Sequence, residues 1–429
     1  MKNLVNIAII GLGQIGIYLY NELRSKKKEI EKKTGKKINI VAISAKNRNK
    51  KRKFQIQKNI FFKKPLQIFR DKKIDVLFEC IGLSDGISKK IVETALKNKI
   101  HVITPNKALI AKHGDSLAKL AEKNNVNLEF EASVGGGIPV LRTIKDGLAT
   151  NKISKVVGIL NGTSNYILTE MEKTKKSFKE VLLKSQKLGL AEANPKFDLD
   201  GSDVLSKVKI LSSLAFKKQI SLKKCLKEGI ENIDLKDIEM AKNLNLRIKL
   251  LGITEIINNS LFERVHTSLV PNDNYIANID GAMNAVILKG VPVGESVLQG
   301  EGAGPGPTSS ALMSDLLSIL RGNIKYPFGI PNNKRHKIKT YNEDLYENSL
   351  YLRLEVNDKP GVLSDLTKIL AKYKISIQRL IQIPDKKNKK ATIVIITHKC
   401  LEKNSISCIN NLNKNKNVLK NPVLIRLFA

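Results

Sequence analysis

A carboxylate and an amine four residues apart on one predicted helix are the strongest chemical signal in the sequence. The helical pattern covers residues 202–216, and Asp200 or Ser202 can cap its first turn. Asp203 and Lys207 fall on the same face as the apolar residues that follow them. Charged groups on an inward face are costly unless they pair or line a polar pocket. We therefore predict an acid–base site here, with a partly solvated ion pair as the alternative.

A glycine-rich turn near residue 11 predicts a dinucleotide site. Gly11, Gly13 and Gly16, with Gln14 and Ile15 between the last two, follow an apolar strand pattern and open an amphipathic helix. In such a turn the glycines allow a tight bend, close approach of the backbone to a pyrophosphate, and packing of the helix on the strand. The N–H groups at the start of the helix then bind the anion. The alternative is an ordinary turn before a helix.

The end of the second predicted strand indicates NADP in preference to NAD. NAD-selective sites usually place Asp or Glu about 20 residues beyond the glycines, where it binds the ribose 2′-hydroxyl. Strand 38–43 is followed by Ser44, Lys46 and Arg48, and by no acid. A hydroxyl can donate to a 2′-phosphate, and cations can balance its charge. The alternative is NAD, with the cations here being a consequence of the high lysine content.

The composition is that of a globular protein with a large excess of lysine. The chain has 429 residues and a formal charge of +35, yet only 5% of its residues are aromatic. Because the lysines are spread over nearly every predicted helix and few aromatic side chains could stack on bases, we expect no nucleic-acid partner. No stretch approaches the roughly 18 apolar residues of a membrane span. The first ten residues read as a strand that leads into the glycine turn, without the basic region and cleavage site of a secretory signal. We therefore expect no membrane association and a cytoplasmic location.

The pattern of predicted elements divides the chain into α/β units. Residues 1–130 alternate short apolar runs with helical patterns, which is typical of a doubly wound, Rossmann-type parallel sheet. Residues 131–300 are interpreted as a second α/β domain, and residues 301–325 carry a second glycine cluster and an apolar helix. Residues 326–347 have the composition of a linker, and residues 348–429 form a last unit. The strands predicted in the first unit cover residues 5–10, 38–43, 75–78, 101–103 and 126–131.

Four segments resemble homoserine dehydrogenases in their amino-acid sequences and in their order along the chain. They read VITPNKAL at 102–109, FEASVGGGIP at 130–139, GILNGTSNYIL at 158–168, and LGLAEANP at 188–195, the last continuing through Lys207. The resemblance covers roughly residues 1–325. It implies NAD(P)-dependent interconversion of L-homoserine and L-aspartate 4-semialdehyde, in threonine, methionine and isoleucine biosynthesis.

The same resemblance carries expectations about organisation. Residues 131–300 would form the catalytic and dimerisation domain, and residues 301–325 would return to the NADP-binding domain. No aspartate kinase segment precedes the glycine turn, so we expect the monofunctional form, assembled as a homodimer or homotetramer.

The resemblance also implies the catalytic residues. Lys207 is the expected proton donor when the aldehyde is reduced and the acceptor in the reverse direction. Asp203 is expected to hold and polarise the substrate. Lys107 is expected to lie between cofactor and substrate and to share the acid or electrostatic role. Pro105 stands where the family more often has alanine, a small departure that leaves Lys107 assigned.

Four further residues match ligand-binding positions of the family. Glu192 matches the carboxylate that binds the ammonium group of the substrate, and Asp198 is a weaker candidate for the same pocket. Gly189 and Gly302 match glycines where the backbone passes close to the cofactor.

The segment that follows residue 130 resembles the monovalent cation loop of the family. Glu131 would supply a carboxylate, and Val134, Gly136 and Ile138 would supply backbone carbonyls. Ligation by oxygen alone suits a hard cation. Sodium and potassium both remain open, as does a loop that only hinges the two domains.

The C-terminal unit resembles an ACT domain, a ferredoxin-like βαββαβ module. A strand pattern at 350–356 is followed by a turn, a helix at 363–373, and strands at 375–380 and 392–397. Such modules commonly pair with a second copy and bind amino acids at the interface. Its fusion to this chain motivates the hypothesis that threonine is the effector, and other effectors remain open. The alternative is a domain that serves dimerisation alone.

Two other classes of protein share parts of this pattern. A different semialdehyde-reducing enzyme could have the same layout, but a phosphate-releasing one needs an activated cysteine, and Cys80 alone is suitably placed in the sequence. A nucleotide-sensing protein on the same scaffold has no use for an inward acid–base pair. Asp203 and Lys207 therefore favour the enzyme.

Overall fold

The N-terminal region is a six-stranded parallel sheet with helices on both faces. The computed structural model of the protein describes residues 3–47, 57–385 and 387–428. The elements of this region are β1 Leu4–Ile10, α1 Gln14–Ser25, α2 Lys27–Thr34, β2 Lys37–Ser44, β3 Phe61–Phe62, α3 Ile68–Asp71, β4 Val76–Glu79, α4 Ile87–Lys97, β5 His101–Ile103, α5 Lys107–Lys123 and β6 Leu128–Glu129. The strand order is β3-β2-β1-β4-β5-β6. This is the doubly wound, Rossmann-type order, and it confirms the predicted fold.

The apolar run of β1 explains why this strand is central. Ala8 and Ile10 join the core cluster on one face of the sheet, whereas Val5, Ile7 and Ile9 join the cluster on the other. A strand that is buried on both faces reads as a continuous apolar run instead of an alternating one. Strands β2 and β3 lie on one side of β1, and strands β4 to β6 lie on the other side. The carboxyl ends of β1 and β4 therefore flank the crevice where ligands bind in such sheets.

The middle region is an antiparallel sheet covered by helices on one face. Its elements are α6 Val140–Arg142, β7 Lys152–Ile159, α7 Gly162–Thr174, α8 Phe178–Lys187, α9 Lys196–Leu199, α10 Ser202–Ala215, α11 Leu235–Asn243, β8 Leu246–Ile257, β9 Ser260–Pro271, β10 Met283–Val291, β11 Gly294–Glu301 and α12 Pro305–Leu320. The strand order is β11-β10-β7-β8-β9.

Helix α10 lies across this sheet in close contact with it. A Cβ added at Gly252 of β8 would stand 2.5 Å from the side chain of Val208 and 2.9 Å from that of Val204. The missing side chain at Gly252 therefore lets α10 approach the sheet. The N-cap of α10 is Gly201, with φ of +82°, instead of the Asp200 or Ser202 that the sequence suggested. The carboxylate of Asp200 instead accepts a hydrogen bond from the Ser202 backbone N–H at 2.8 Å.

Helix α12 packs against α1 of the first region. Its residues Leu312, Leu316 and Ile319 are buried in the same apolar cluster as Ile7 and Ile9 of β1. The helix starts at Pro305, within the second glycine cluster, because proline fits the first helical turn without losing a hydrogen bond.

The segment between α12 and the last unit packs on the middle region. Backbone bonds join Leu261 N to the Lys339 carbonyl at 2.7 Å and Tyr341 N to the Leu261 carbonyl at 2.8 Å. Arg335 is buried and lies 2.7 Å from a carboxylate oxygen of Asp115.

The C-terminal region has the predicted ferredoxin-like βαββαβ fold. Its elements are β12 Glu347–Asn348, β13 Leu350–Asn357, α13 Val362–Lys372, β14 Ile377–Asp385, β15 Lys390–Thr397, β16 Cys400–Leu401, α14 Glu402–Leu412 and β17 Val423–Leu427. The strand order β17-β13-β15-β14 is antiparallel. Strand β17 also pairs in parallel with β9, so the sheets of the middle and C-terminal regions form one sheet of nine strands.

Candidate active site

Lys207 is buried and held by two oxygen acceptors. Its Nζ donates to the backbone carbonyl of Leu160 at 2.5 Å and to Oδ2 of Asp203 at 2.8 Å. The side chains of Lys207 and Asp203 are 8% and 2% exposed. Both residues therefore face inward from α10, toward the end of β7.

A second lysine reaches the same carboxylate from the first region. Nζ of Lys107 lies 2.5 Å from Oδ1 of Asp203, and about a third of its side chain is exposed. Lys107 opens α5, whose N-cap Asn106 is fixed by a hydrogen bond to the buried carboxylate of Glu79. Thr104 donates to the same carboxylate at 2.7 Å. Buried Glu79 thus fixes the turn that presents Lys107.

The pKa values of the two lysines are shifted in opposite directions. Burial, reinforced by the neighbouring charge of Lys107, lowers the pKa of Lys207 despite the attraction of Asp203. Burial also acts to lower the pKa of Lys107, but its attraction to Asp203 outweighs burial and the net pKa is raised. The Asp203 carboxyl is kept well below its usual pKa range because the two ammonium groups outweigh its burial. Lys207 is therefore the lysine that gives up its proton more readily.

Asn161 connects the two acids of the site, and the sequence did not single it out. Its Nδ2 donates to Asp198 and to Asp203, both at 2.9 Å. Its Oδ1 accepts from the Ser164 backbone N–H at 2.8 Å and caps α7. Burial and the charge of Asp203 raise the pKa of Asp198. Asn161 lies in the segment 158–168 that resembles the family, and its place before Gly162 is that of a helix N-cap.

The loop before α9 carries Glu192, whose charge acts on Lys107. Glu192 and Gly189 are both exposed, and Gly189 has a φ of +73°. The charge of Glu192 contributes to the raised pKa of Lys107, after the larger effects of burial, Asp203 and Asp198. Lys107 Nζ also lies 6.0 Å from the ring centroid of Phe197, which the sequence analysis overlooked. Glu192 is exposed, and among the described residues no hydrogen bond or ion pair joins its side chain to Lys207 or Asp203.

The glycine turn after β1 has the geometry of a pyrophosphate site. Gly11 has a φ of +99°, and a Cβ there would stand 2.5 Å from the Cys80 carbonyl. A Cβ on Gly16 would stand 2.0 Å from the Gly11 carbonyl oxygen, whereas a Cβ on Gly13 meets nothing within 4 Å. The first and third glycines thus serve packing, and Gly13 leaves the backbone open. Gly13 is the N-cap of α1, which Gln14 and Ile15 begin.

The end of β2 lies beside this turn. The backbone carbonyl of Ser44 accepts from the Gly11 N–H at 2.9 Å, and the Ser44 side chain is buried. Lys46 is exposed two residues further on. Arg48 lies outside the described residues.

The predicted cation loop packs tightly against the second glycine cluster. A Cβ on Gly136 would stand 2.6 Å from the Gly302 carbonyl, and one on Gly302 would stand 2.0 Å from the Asn284 amide. Val134 and Ile138 are buried. The loop and the residues around Gly302 therefore pack closely against each other at the boundary between the first and middle regions.

Glu131 begins this loop with one unused carboxylate oxygen. Its Oε1 accepts from the Leu141 N–H at 2.9 Å, while its buried Oε2 has no hydrogen-bond partner among the described residues. Burial raises the pKa of Glu131 despite the nearby positive charges of Lys145 and Arg142. In the described part of the chain no cluster of three or more His, Cys, Asp or Glu side chains could hold a metal ion. An ion here would rely mainly on carbonyl oxygens, and the free Oε2 fits such a ligand set.

Comparisons with known proteins cover the whole chain. Residues 139–317 match the family model described as homoserine dehydrogenase, and residues 11–131 match its NAD binding domain. The homoserine dehydrogenase of Neisseria gonorrhoeae is 38% identical, covering 99% of this chain and 98% of that one. That of Helicobacter pylori is 37% identical, covering 100% of both. This chain belongs to the homoserine dehydrogenase family.

Solved homoserine dehydrogenases share the fold as well. The structure from Thiobacillus denitrificans is 34% identical with a TM-score of 0.89, covering 99% of this chain and 98% of that one. One from Staphylococcus aureus is 30% identical with a TM-score of 0.75, covering 100% of both. Residues 350–404 match the ACT domain model, which confirms the predicted C-terminal module.

The family settles the class of reaction. As a homoserine dehydrogenase, the chain is an oxidoreductase that interconverts L-homoserine and L-aspartate 4-semialdehyde with a nicotinamide dinucleotide. The nucleotide-sensing alternative is not favoured, since the matches name the enzyme over the full chain. Burial also raises the pKa of Cys80, as it does for the other described cysteines, so none is an activated nucleophile.

Among the helices of the described residues, none combines the length and apolarity that crossing a bilayer requires.

Proposed function

We propose that Lys207 is the proton donor when this homoserine dehydrogenase reduces aspartate 4-semialdehyde, and the proton acceptor when it oxidises homoserine. The observation that carries this proposal is the buried Lys207 amine, whose lowered pKa eases transfer of its proton to a developing alkoxide. Burial strengthens the electrostatic interactions of such a group with its surroundings.

Asp203 serves as the second catalytic group in this proposal. It balances the charges of Lys207 and Lys107 and orients the substrate beside them. Lys107, at the mouth of the site, binds the oxygen of the substrate and shares the stabilisation of its negative charge. Glu192 and Asp198 bind the substrate's ammonium group. The exposed position of Glu192 requires the loop around it to close on the substrate.

The proposed dinucleotide site is formed by Gly11, Gly13, Gln14, Ile15 and Gly16, and by residues that contact the cofactor elsewhere. Those further contacts are Ser44, Lys46, Arg48, Lys107, Gly189 and Gly302. The bound dinucleotide supplies the hydride for reduction and accepts it in oxidation. We propose NADP in preference to NAD, which the exposed Lys46 and the lack of an acid among residues 44–48 support. An archaeal homoserine dehydrogenase of the same fold, 23% identical, has been solved in complex with NADPH.

A monovalent cation, sodium or potassium, is proposed to bind the loop between the domains. Glu131 would contribute its free Oε2, and Val134, Gly136 and Ile138 would contribute carbonyls. This ion would hold the first and middle regions together at the boundary beside Gly302.

The larger organisation is proposed from the sequence patterns together with this packing. Residues 1–130 with 301–325 bind the dinucleotide, 131–300 are catalytic and dimerising, 326–347 connect, and 348–429 regulate. The ACT domain supports a small-molecule effector, for which we propose threonine, as befits an enzyme of threonine, methionine and isoleucine biosynthesis. We further propose a cytoplasmic homodimer or homotetramer.

The test compares two buried lysines of the same helix. Lys207→Ala is expected to lower kcat for NADPH oxidation with aspartate 4-semialdehyde by about 10²–10⁴-fold, because the proton donor is lost. Lys209→Met is the matched control, since Lys209 is also buried in α10 but pairs with Glu263 at 2.5 Å. If both variants lose the same activity, Lys207 has no special role and the proposal fails.

A further inference from the structure

The last strand of the ACT domain is tied to the catalytic region by a buried arginine. Arg426 of β17 donates from Nη1 to Glu228 Oε2 at 2.6 Å and from Nη2 to Glu228 Oε1 at 3.2 Å. Its side chain is 2% exposed. Two residue pairs further join β17 to β9 in parallel, beginning with Arg426 and Ser268. The carboxylate of Glu228, whose side chain is 40% exposed, is therefore bound from the ACT side.

Glu228 belongs to a segment that packs without a gap on the turn before α10. A Cβ on Gly229 would stand 1.8 Å from the Leu199 carbonyl oxygen, so the two backbones are in direct contact. The Ile230 N–H donates to that same carbonyl at 3.0 Å. The Glu228 carbonyl lies 3.1 Å from the position of a Cβ on Gly201. The turn 199–201 cannot move toward this segment unless the segment moves too.

The neighbouring lysine strengthens this contact. Lys227 Nζ donates to Asp200 Oδ2 at 2.8 Å and to Ser202 Oγ at 2.7 Å. The backbone of Glu228 is in turn fixed to β9, where its N–H donates to the Val265 carbonyl at 2.8 Å. Side-chain and backbone bonds thus join the segment to both ends of the turn.

The turn 199–201 connects the two acids of the substrate site. Asp198 precedes it in α9, and Asp203 follows it in the first turn of α10. Both carboxylates accept hydrogen bonds from the single Nδ2 of Asn161. A shift of the turn would change the spacing of the two carboxylates and the reach of Asp203 to Lys207.

We propose that Arg426 is a positioning residue for the homoserine site, acting through Glu228 on the turn that carries Asp198 and Asp203. The inference rests on the proposed roles of those two acids. It assigns the ACT domain a direct mechanical connection to the substrate site, within the same chain.

The ACT side of this connection is itself a network. Glu402 of α14 accepts from Nε of Arg426 at 3.0 Å, so Arg426 is shared between one carboxylate of the ACT domain and one of the catalytic region. Asn348 donates to Glu402 at 2.9 Å and accepts from Arg264 of β9 at 2.9 Å. A rearrangement of α14 against β17 would therefore alter the hydrogen bonds between Arg426 and Glu228.

A second arginine provides a control that separates an effect on the substrate site from a general loss of stability. Arg353 of β13 also crosses from the ACT domain to the catalytic region, where its Nε and Nη2 donate to Asp237 at 2.7 and 3.0 Å. Arg353 is buried like Arg426, but Asp237 lies in α11, which packs on α7 and β8. Loss of Arg353 removes its ion pairs with Asp234 and Asp237, and loss of Arg426 removes its ion pairs with Glu228 and Glu402.

The experiment measures KM and kcat for L-homoserine, KM for NADP⁺ and the melting temperature in the full-length chain. Arg426→Met and Glu228→Gln are expected to raise KM for homoserine about tenfold, because the carboxylates are misplaced. KM for NADP⁺ should stay within about twofold of the parent value. Arg353→Met should lower the melting temperature comparably while leaving KM for homoserine unchanged. Arg426→Lys, which keeps one charged bond, should retain part of the parent affinity.

Two results would overturn the proposal. One is an equal rise in the homoserine KM for Arg353→Met and Arg426→Met, and the other is a lower melting temperature of Arg426→Met without any change in KM. The double variant Arg426→Met/Glu228→Gln should raise KM for homoserine no more than either single variant, because both substitutions break the same connection. Asp203→Asn in the same assay separates the two claims. If Asp203→Asn leaves homoserine kinetics unchanged, the proposed site fails, whereas a loss there with no effect at Arg426 rejects only the positioning role.

Discussion

At the scale of single residues, the site is organised around one carboxylate between two lysines. Asp203 contacts Lys207 through Oδ2 and Lys107 through Oδ1. The two amines differ because Lys207 is almost fully buried, whereas about a third of Lys107 is exposed. Desolvation favours the neutral amine. It therefore lowers the pKa of Lys207 below that of an ordinary lysine, whereas attraction to Asp203 raises the pKa of Lys107.

This difference fixes the expected pH dependence. Lys207 must be protonated to donate in aldehyde reduction, so the reduction rate should fall as pH rises through its lowered pKa. Homoserine oxidation needs the neutral amine, so its rate should rise over the same pH range. Lys107 keeps its charge over that range because its pKa is raised.

Sequence periodicity found Asp203 and Lys207 but not Asn161 or Glu79. The first two lie one helical turn apart, so their common face follows from local geometry alone. Asn161 gains its role only when the N-terminus of α7 is brought beside α10, 42 residues away along the chain from Asp203. Glu79 acts similarly through Thr104, 25 residues away. Such contacts depend on tertiary packing, which a single sequence does not reveal.

At the scale of elements, strand and helix patterns predicted the Rossmann order but not every boundary. Strand β6 is limited to Leu128–Glu129, shorter than predicted, because Glu131–Ser133 form a 3₁₀ turn. Strand β14 extends to Asp385, five residues beyond its predicted end, because it pairs along its length with β15. Both differences arise where pairing partners, and not the residues themselves, decide the length of the strand.

The first glycine turn yields a prediction at this scale. Gly11→Ala should raise KM for the dinucleotide more than tenfold, because the added Cβ would stand 2.5 Å from the Cys80 carbonyl and displace the turn. Gly35→Ala is the control, since Gly35 also has positive φ but its Cβ meets nothing within 4 Å. Both variants should lose roughly 1–2 kcal/mol of stability through backbone strain. Equal KM values for the two variants would show that close packing at Gly11 is unimportant.

At the scale of the whole molecule, the ACT domain is part of the catalytic fold and not a loosely attached unit. Strand β17 extends the sheet at β9, and Arg353 and Arg426 cross the boundary to bind buried or partly buried acids. The sequence predicted the domain but not this junction, since Arg426 and Glu228 are 198 residues apart.

Removal of the ACT domain is therefore expected to damage the remaining chain. A chain ending at residue 346 would leave Asp237, which is fully buried, without the Arg353 and Tyr351 partners that it now has. The same truncation would expose the apolar residues that now share a core with Tyr351, Val394 and Ile425. Because lost apolar burial destabilises a protein by about 25 cal/mol per Å², the truncated chain should melt at a lower temperature or be recovered largely insoluble. Thermal unfolding of the two chains checks this. A truncated chain with the parent melting temperature would mean that the junction contributes nothing to stability.

The most direct test of the central claim is the pH dependence of kcat in both directions, at saturating substrate and dinucleotide. If Lys207 transfers the proton, the reduction rate falls and the oxidation rate rises with increasing pH, each with a pKa below the ordinary lysine value of 10.5, and both limbs disappear in Lys207→Ala. Limbs that persist unchanged in Lys207→Ala would contradict the assignment of Lys207 as the acid and base of the reaction.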